Sequence, residues 1–395
     1  MNRTVDAGKT LIVDGPASVM VSSGIVEVFG LLTNDKNKIV IREGKRLPFV
    51  VRQKATFEIS LGENANEEEV DSDTIPNSWI MAFKKVLESK KQSTVTMVLG
   101  AIDSGKTSFC TYLVNKLLNL KKKVAVLDGD LGQSDIGPPC TIAYAFVTEP
   151  IADLFSLEAE NAFFVGVTSP SKASEKVIEG LVLLEKEILE NGADFIIVNT
   201  DGWIEGENAI NYKVQLVKKL KPDILFAIQQ GDELKQLLQT LESSKPILVR
   251  SPSAIKQRSR EKRKSLRELG YIKYLKNAKV QSIPLNWLKL EGSELFSSYR
   301  TYEDIQRTRE IYGLLGMKPL YFKEQKDKIF VVIGRNRWID KNSIEKVEEY
   351  TKKKVVVIRK GEEEGLLVAL FNASKNFLGI GILQEVDYRR KFIKI

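Results

Sequence analysis

Histidine is absent from the 395 residues, cysteine occurs twice, and no apolar run reaches the roughly 18 residues that cross a bilayer. Each absence excludes chemistry. Without histidine, a general base must be a carboxylate, a lysine or a tyrosine. Histidine-bearing zinc sites and serine–histidine nucleophile pairs are excluded with it. Cys110 and Cys140 are too few for a disulfide framework. That points to a reducing, intracellular compartment: cytoplasmic, or nuclear in a eukaryotic source. Residues 1–12 mix charge with polar groups and lack the apolar core of a secretory leader. No membrane partner is expected. Abundant Lys and Glu with little Cys leans towards a thermophile.

What is present is basic and unevenly so. The net charge is +8. Residues 250–276 hold ten basic residues and two acidic ones, Glu261 and Glu268, an excess equal to that of the whole chain. This segment either attracts a polyanion or is a solvated helix face.

The length suits two or three domains. Residues 1–72 read as short strands (10–13, 18–21, 25–29, 38–41, 49–51 and 56–59) with turns at Gly15–Pro16, Asn34–Asp35 and Glu43–Gly44, a small sandwich or barrel. The acidic stretch 63–76 reads as a linker. A helix is expected over 78–90, with Trp79, Phe83, Val86 and Leu87 as its stripe. Strands and helices then alternate: strands at 95–99, 124–127, 163–167, 195–199, 224–228 and 247–249, helices at 108–120, 172–189, 208–220 and 233–241. Such alternation predicts a mostly parallel sheet with ligands at the carboxyl ends of its strands. From about residue 284 strands dominate again (328–333, 355–358, 366–371, 377–383 and 392–395) with a helix at 343–350. The domains are therefore expected at 1–72, 76–283 with a lid at 250–276, and 284–395.

The strand at 95–99 runs into Gly100, Ala101, Ile102, Asp103, Ser104, Gly105, Lys106, Thr107 and Ser108, and a helix follows. The run fits G-x-x-x-x-G-K-[ST], the Walker A loop, in the context that loop requires. Glycines let the backbone curl its N–H groups towards phosphate oxygens, and the helix N-terminus adds a favourable dipole. Lys106 is placed for the β/γ-phosphates and Thr107 for Mg²⁺. A second Gly-Lys-Thr, Gly8-Lys9-Thr10, has no upstream glycine or strand and reads as a turn.

Asp128 and Asp130 follow the strand at 124–127. Carboxylates at a strand end beside a phosphate loop can hold Mg²⁺ or accept a proton. Asp130 is read as general base, Gln133 as orienting the attacking hydroxyl or the metal's water shell, and Asp128 as serving that shell. Thr200, Asp201, Gly202 and Trp203 end the strand at 195–199. Trp203 either stacks on a base or packs beneath its loop. Arg258, Arg263 and Arg267 would share one face of a helix. Folded over the phosphate loop, they would neutralise charge on a transferred phosphoryl group.

Together these residues resemble the polynucleotide 5′-hydroxyl kinases of pre-mRNA cleavage, tRNA splicing and rRNA maturation. The similar elements are the Walker A loop, Asp130-Leu131-Gly132-Gln133 as variant Walker B, Thr200-Asp201-Gly202-Trp203 as the clasp, and Arg263 with Arg267 as the lid. Pro138-Pro139, Gly166 and Ser169-Pro170 also fit, and the Pro-Pro pair is most like the rRNA branch. Ala101 departs from a frequent proline. The resemblance spans about residues 76–280. It implies an α/β fold: a central P-loop kinase domain with a mostly parallel sheet, flanked by a small N-terminal β domain and a C-terminal mixed α/β domain. It further implies that Lys106 and Thr107 hold ATP and Mg²⁺ and that Asp130 activates a 5′-hydroxyl with help from Gln133. Thr200, Gly202 and Trp203 would clasp the strand, and Arg263 and Arg267 would close over the phosphates. The N-terminal domain would help hold adenine. The expected partners are RNA 5′-OH ends, with DNA ends as alternative acceptors, and RNA-processing proteins. Two rivals stay open: an ATP-binding scaffold without turnover, and a regulatory ATPase or GTPase. The second has no use for a clasp or a basic lid, and no Asn-Lys-x-Asp motif follows the central strands.

Overall fold

A computed structural model of the chain describes residues 1–33, 38–291 and 305–395. The turn expected at Asn34 and Asp35 lies outside the described residues. The chain forms two compact units, Met1–Lys276 with Phe371–Leu378, and Asn277–Leu370 with Gly379–Ile395. Among the described residues, no helix is long and apolar enough to cross a membrane.

The first unit opens with an antiparallel sheet described as seven strands. Two long strands organise it. Ala17–Val28 pairs along its length with Arg46–Leu61. Each also takes shorter neighbours: Leu31–Thr33 and Lys38–Ile41 on the first, Asn2–Val5 and Thr10–Asp14 on the second. The sequence suggests two strands in each of these places because polar residues interrupt the apolar pattern. Arg52, Gln53 and Lys54 are exposed mid-strand, and the partner strand bulges opposite them. Gly24 sits in that bulge at φ +93°, where a Cβ would lie 2.3 Å from the Lys54 carbonyl oxygen. The linker expected at 63–76 is corrected in part: Glu67–Val70 is a strand paired with Thr10–Asp14. Its charges find partners far away in sequence. Arg3 reaches Glu67 and Glu69 at 3.3 Å, and Lys9 reaches Glu69 at 2.8 Å.

The second sheet follows the order Asn161–Phe164, Thr141–Val147, Val124–Asp128, Phe195–Asn199, Thr94–Gly100, Ile224–Gln229, Ile247–Arg250. The last five strands are parallel. Thr141–Val147 runs antiparallel to both its neighbours. The sequence reading misses that strand; Ala143 and Ala145 dilute its β signal. Thr94–Gly100, Val124–Asp128 and Phe195–Asn199 are buried throughout, as strands covered on both faces must be. Alternate residues serve two cores. Val98, Val126 and Ile197 join Phe49, Phe57, Trp79 and Phe109 in one cluster shared with the N-terminal sheet. Leu99, Leu127 and Ile196 face the helices Ser174–Glu190 and Glu207–Leu220 in the other.

The parallel register places Asn199 beside Asp128 and Val98, and Gly100 beside Ile228. The loops after these strands therefore leave along one edge, where the site lies.

In the second unit, helices Ile305–Leu315 and Lys341–Thr351 cover one face of the sheet Tyr321–Glu324, Lys328–Ile333, Lys354–Arg359. Phe330 and Val332 face Val386, Tyr388 and Ile393 on the other.

Trp79, on the helix Asn77–Leu87, is fully buried. It packs against Phe29, Phe109 and Tyr112, and its indole N–H donates to the Arg250 carbonyl at 2.9 Å. It joins the N-terminal sheet, the phosphate-loop helix and the last strand. Trp79→Ala is expected to cost about 3–5 kcal/mol of unfolding free energy, measured by urea melts followed by circular dichroism. A loss under about 1 kcal/mol would mean that these elements are not held through this ring.

Candidate active site

The phosphate loop joins the strand Thr94–Gly100 to the helix Lys106–Leu118. Gly105 caps the helix at φ +96°, a conformation glycine adopts without steric cost. Asp103 is also left-handed, at φ +55°. Lys106 is buried, and its ammonium donates to the Ala101 carbonyl at 2.6 Å. Burial lowers its pKa to about 8, against the attraction of Asp130. A cavity of about 350 Å³ opens onto the loop. Ile102, Asp103, Ser104, Gly105, Lys106, Thr107 and Ser108 line it, with Asp130 and Gln133 across from them.

Asp130 accepts the backbone N–H groups of Gly132 at 3.1 Å and Gln133 at 3.0 Å. Burial raises its pKa, and Lys106 opposes the rise. Its carboxylate is thus a stronger base than an exposed one. Asp128, expected to serve the metal's shell, lies beneath the loop it starts. It is completely buried, and both oxygens are engaged. Oδ1 accepts from Asn199 Nδ2 at 3.0 Å and the Asp130 N–H at 3.3 Å. Oδ2 accepts from the N–H groups of Asp135 at 2.8 Å and Ile136 at 3.3 Å. Burial, then Asp135 and Asp130, push its pKa up to about 7.

The turn 200–203 rests on the phosphate loop. Thr200 donates to the Val98 carbonyl at 2.8 Å. A Cβ on Gly202 would lie 2.6 Å from the Ile102 nitrogen, so only glycine allows this approach. Trp203 packs beneath its loop and also borders a groove. One side stacks on Tyr212, with centroids 5.8 Å apart and planes 25° off parallel. The ring also lines a groove with Ile102, Gln230 and Gln257. Asp201 holds the turn in place. It accepts from the Trp203 N–H at 2.9 Å, Tyr212 OH at 2.8 Å and Lys213 Nζ at 2.9 Å. Lys213 is wholly buried on the helix Glu207–Leu220. The sequence reading misses this pair; the signal is a lysine amid Ile210, Val214 and Val217.

The basic segment forms the helix Arg260–Leu275, capped by Ser259, whose hydroxyl accepts the Lys262 N–H at 3.2 Å. Arg258 therefore precedes the helix, which corrects the shared face expected for Arg258, Arg263 and Arg267. The cap starts the helix just after Arg258, too late for it to join. Arg258 instead bridges several elements. It donates to Asp103 at 3.1 Å, Gln133 Oε1 at 3.1 Å and the Gly44 carbonyl at 3.0 Å. Arg263 donates to the Arg258 carbonyl at 2.6 Å and stands 3.6 Å from Asp103. Arg267 lies near Cys140 and Tyr271, whose pKa values burial raises and its charge opposes. The helix lies over the Walker B loop: a Cβ on Gly270 would meet Pro139 at 3.0 Å, and Tyr274 OH donates to the Ile136 carbonyl at 2.5 Å.

A glycine-cornered loop at a helix N-terminus, a buried lysine and a facing carboxylate define a P-loop phosphate site on an α/β sheet. The family profile described as mRNA cleavage and polyadenylation factor CLP1 P-loop matches residues 100–277. A polyribonucleotide 5′-hydroxyl-kinase of Methanocaldococcus jannaschii is 32% identical over 326 residues, covering 81% of this chain and 86% of the relative. One from Pyrococcus furiosus is 31% identical over 322 residues, covering 81% and 87%. The chain belongs to this family of polyribonucleotide 5′-hydroxyl-kinases. In fold it is similar to a chain of the wild-type Clp1p–Pcf11p (454–563) complex, with a TM-score of 0.67 and 12% identity over 100% of this chain and 93% of that one.

Lys213→Met would leave Asp201 buried without its cation. A loss of about 3–5 kcal/mol is expected in chemical denaturation. A loss below about 1 kcal/mol would show that Tyr212 and the backbone suffice for Asp201.

Proposed function

We propose that the chain is an ATP-dependent polyribonucleotide 5′-hydroxyl kinase acting in RNA processing. It transfers the γ-phosphate of ATP to the 5′-OH end of RNA, with DNA ends as the alternative acceptor and RNA-processing proteins as partners. The observation that carries this reading is Asp130, a half-buried carboxylate lining the same cavity as Lys106. A scaffold that binds ATP without turnover has no need of a raised base there.

Roles follow for the remaining residues. The loop from Gly100 to Ser108 cradles the phosphates, and Lys106 supplies charge to the β/γ-phosphates. Asp130 takes the proton of the attacking hydroxyl, and Gln133 orients it. Thr200, Gly202 and Trp203 hold the nucleic-acid strand, with the free side of Trp203 offered to a base. Arg263 and Arg267 remain the lid pair, and Arg258 joins them.

The cavity wall suits Mg²⁺. Thr107 offers a hard oxygen donor, and the buried hydroxyls of Ser104 and Ser134 have no partner among the described residues. When bound, the ion would neutralise phosphate charge. The engaged oxygens of Asp128 suit it to holding the loop.

Asp130→Asn keeps the size of the side chain but removes the base. Turnover on a 5′-OH oligoribonucleotide should fall about 10²–10⁴-fold while ATP affinity largely survives. Unchanged turnover in a folded variant would remove Asp130 from the reaction.

Lys106 generates a pH test. With its pKa lowered to about 8, the free protein carries the ammonium charge below that pH and loses it above. Phosphates favour the charged form, so ATP affinity should be level below pH 8 and weaken by up to about tenfold per unit above it. Lys106→Arg should abolish that slope. Wild-type affinity that stays level to pH 9.5 would contradict it.

A further inference from the structure

The turn at residues 42–46 does more than join two strands of the N-terminal sheet. Arg42 donates to Asp153 Oδ2 at 2.7 Å and Oδ1 at 3.2 Å, and pairs with Asp135. Lys45 reaches Asp135 Oδ2 at 3.0 Å and Asp153 Oδ1 at 3.4 Å. The Gly44 carbonyl accepts from Arg258 at 3.0 Å. All four ion-pair side chains are less than one-fifth exposed, between 7% and 18%. Arg42 also covers the Phe155 ring at 4.1 Å. Buried ion clusters stabilise a fold poorly compared with apolar packing. Their multiple fixed contacts suit them to setting position.

The position they set is that of the Walker B loop. Asp135 stands two residues after Gln133 and five after Asp130. Its own N–H is bound from within by Asp128 at 2.8 Å, while Arg42 and Lys45 grip its carboxylate from outside. Gln133 is held by Arg258, which the same turn anchors through Gly44. We propose that Arg42 and Lys45 are positioning residues, through which the turn 42–46 sets loop 130–135, and with it Asp130 and Gln133, against the phosphate loop. The inference rests on the phosphotransfer reading of the site. Its rival is that these side chains, which also line the cavity, hold the nucleotide directly.

Kinetics and hydrogen exchange on the full chain separate the two, using ATP and a 5′-OH oligoribonucleotide. Lys45→Met should lower kcat about 10–100-fold, the cost of an ångström-scale misplacement, with KM for both substrates within about threefold. Lys45→Arg should recover most of the loss. Arg42→Met with Asp153→Leu replaces a buried ion pair by an apolar one, and should hold the melting temperature while kcat falls. Amide protection across residues 130–136 should drop in Lys45→Met and in the double variant, a readout that needs no activity. Unchanged kcat and protection in folded variants would overturn the inference. So would a raised KM for ATP with kcat and protection intact. Wild-type protein that fails to phosphorylate the oligonucleotide strikes the reaction alone; the exchange data still decide whether the turn 42–46 sets the loop.

Discussion

The site hangs on the carboxylate of Asp128. Four donors converge on it: one side chain, Asn199, and three backbone N–H groups of the loop it starts, at Asp130, Asp135 and Ile136. Through Asn199 the Walker B loop is tied to the strand that ends in the Trp203 turn. Through the loop amides, Asp130 is turned towards Lys106. A carboxylate with no exposed surface is costly by itself, and its pKa rises to about 7 in consequence. The four hydrogen bonds offset that cost and convert it into fixed geometry.

The same device recurs around the cavity. Lys213 is buried against Asp201 to hold the turn 200–203 on the phosphate loop. Arg258 ties Asp103, Gln133 and Gly44 together at about 3 Å each. Lys213 ties the turn to the helix that follows it, and Arg258 links loops that leave different strands. Apolar packing supplies the mass of the fold, with Trp79 joining the N-terminal sheet to the phosphate-loop layer. The charged contacts decide where loops stand within it. Catalysis by positioning and electrostatics asks for this arrangement, because misplaced donors lose most of their effect.

Local signals were legible in the sequence. The Walker A loop, its flanking strand and helix, and the Asp130–Gln133 run could be placed because spacing and periodicity are short-range properties. The remainder depended on distant partners. Glu67–Val70 reads as linker until Arg3 and Lys9 appear beside it. Thr141–Val147 is an antiparallel strand that only its neighbours stabilise as such. Arg258 reads as part of the helix because nothing local ranks Ser259 as the cap over earlier polar residues. Lys213 and Asn199 look ordinary in their segments, and their roles come from strand order.

The central claim is that this cavity passes phosphate from ATP to the end of a polynucleotide. The most direct measurement is incubation of the full chain with γ-labelled ATP and a 5′-OH oligoribonucleotide, with a 5′-phosphorylated copy as control. Label should appear at the 5′ end of the first and be absent from the second. Hydrolysis of ATP with no label on either oligonucleotide would contradict the account and leave a P-loop ATPase in its place.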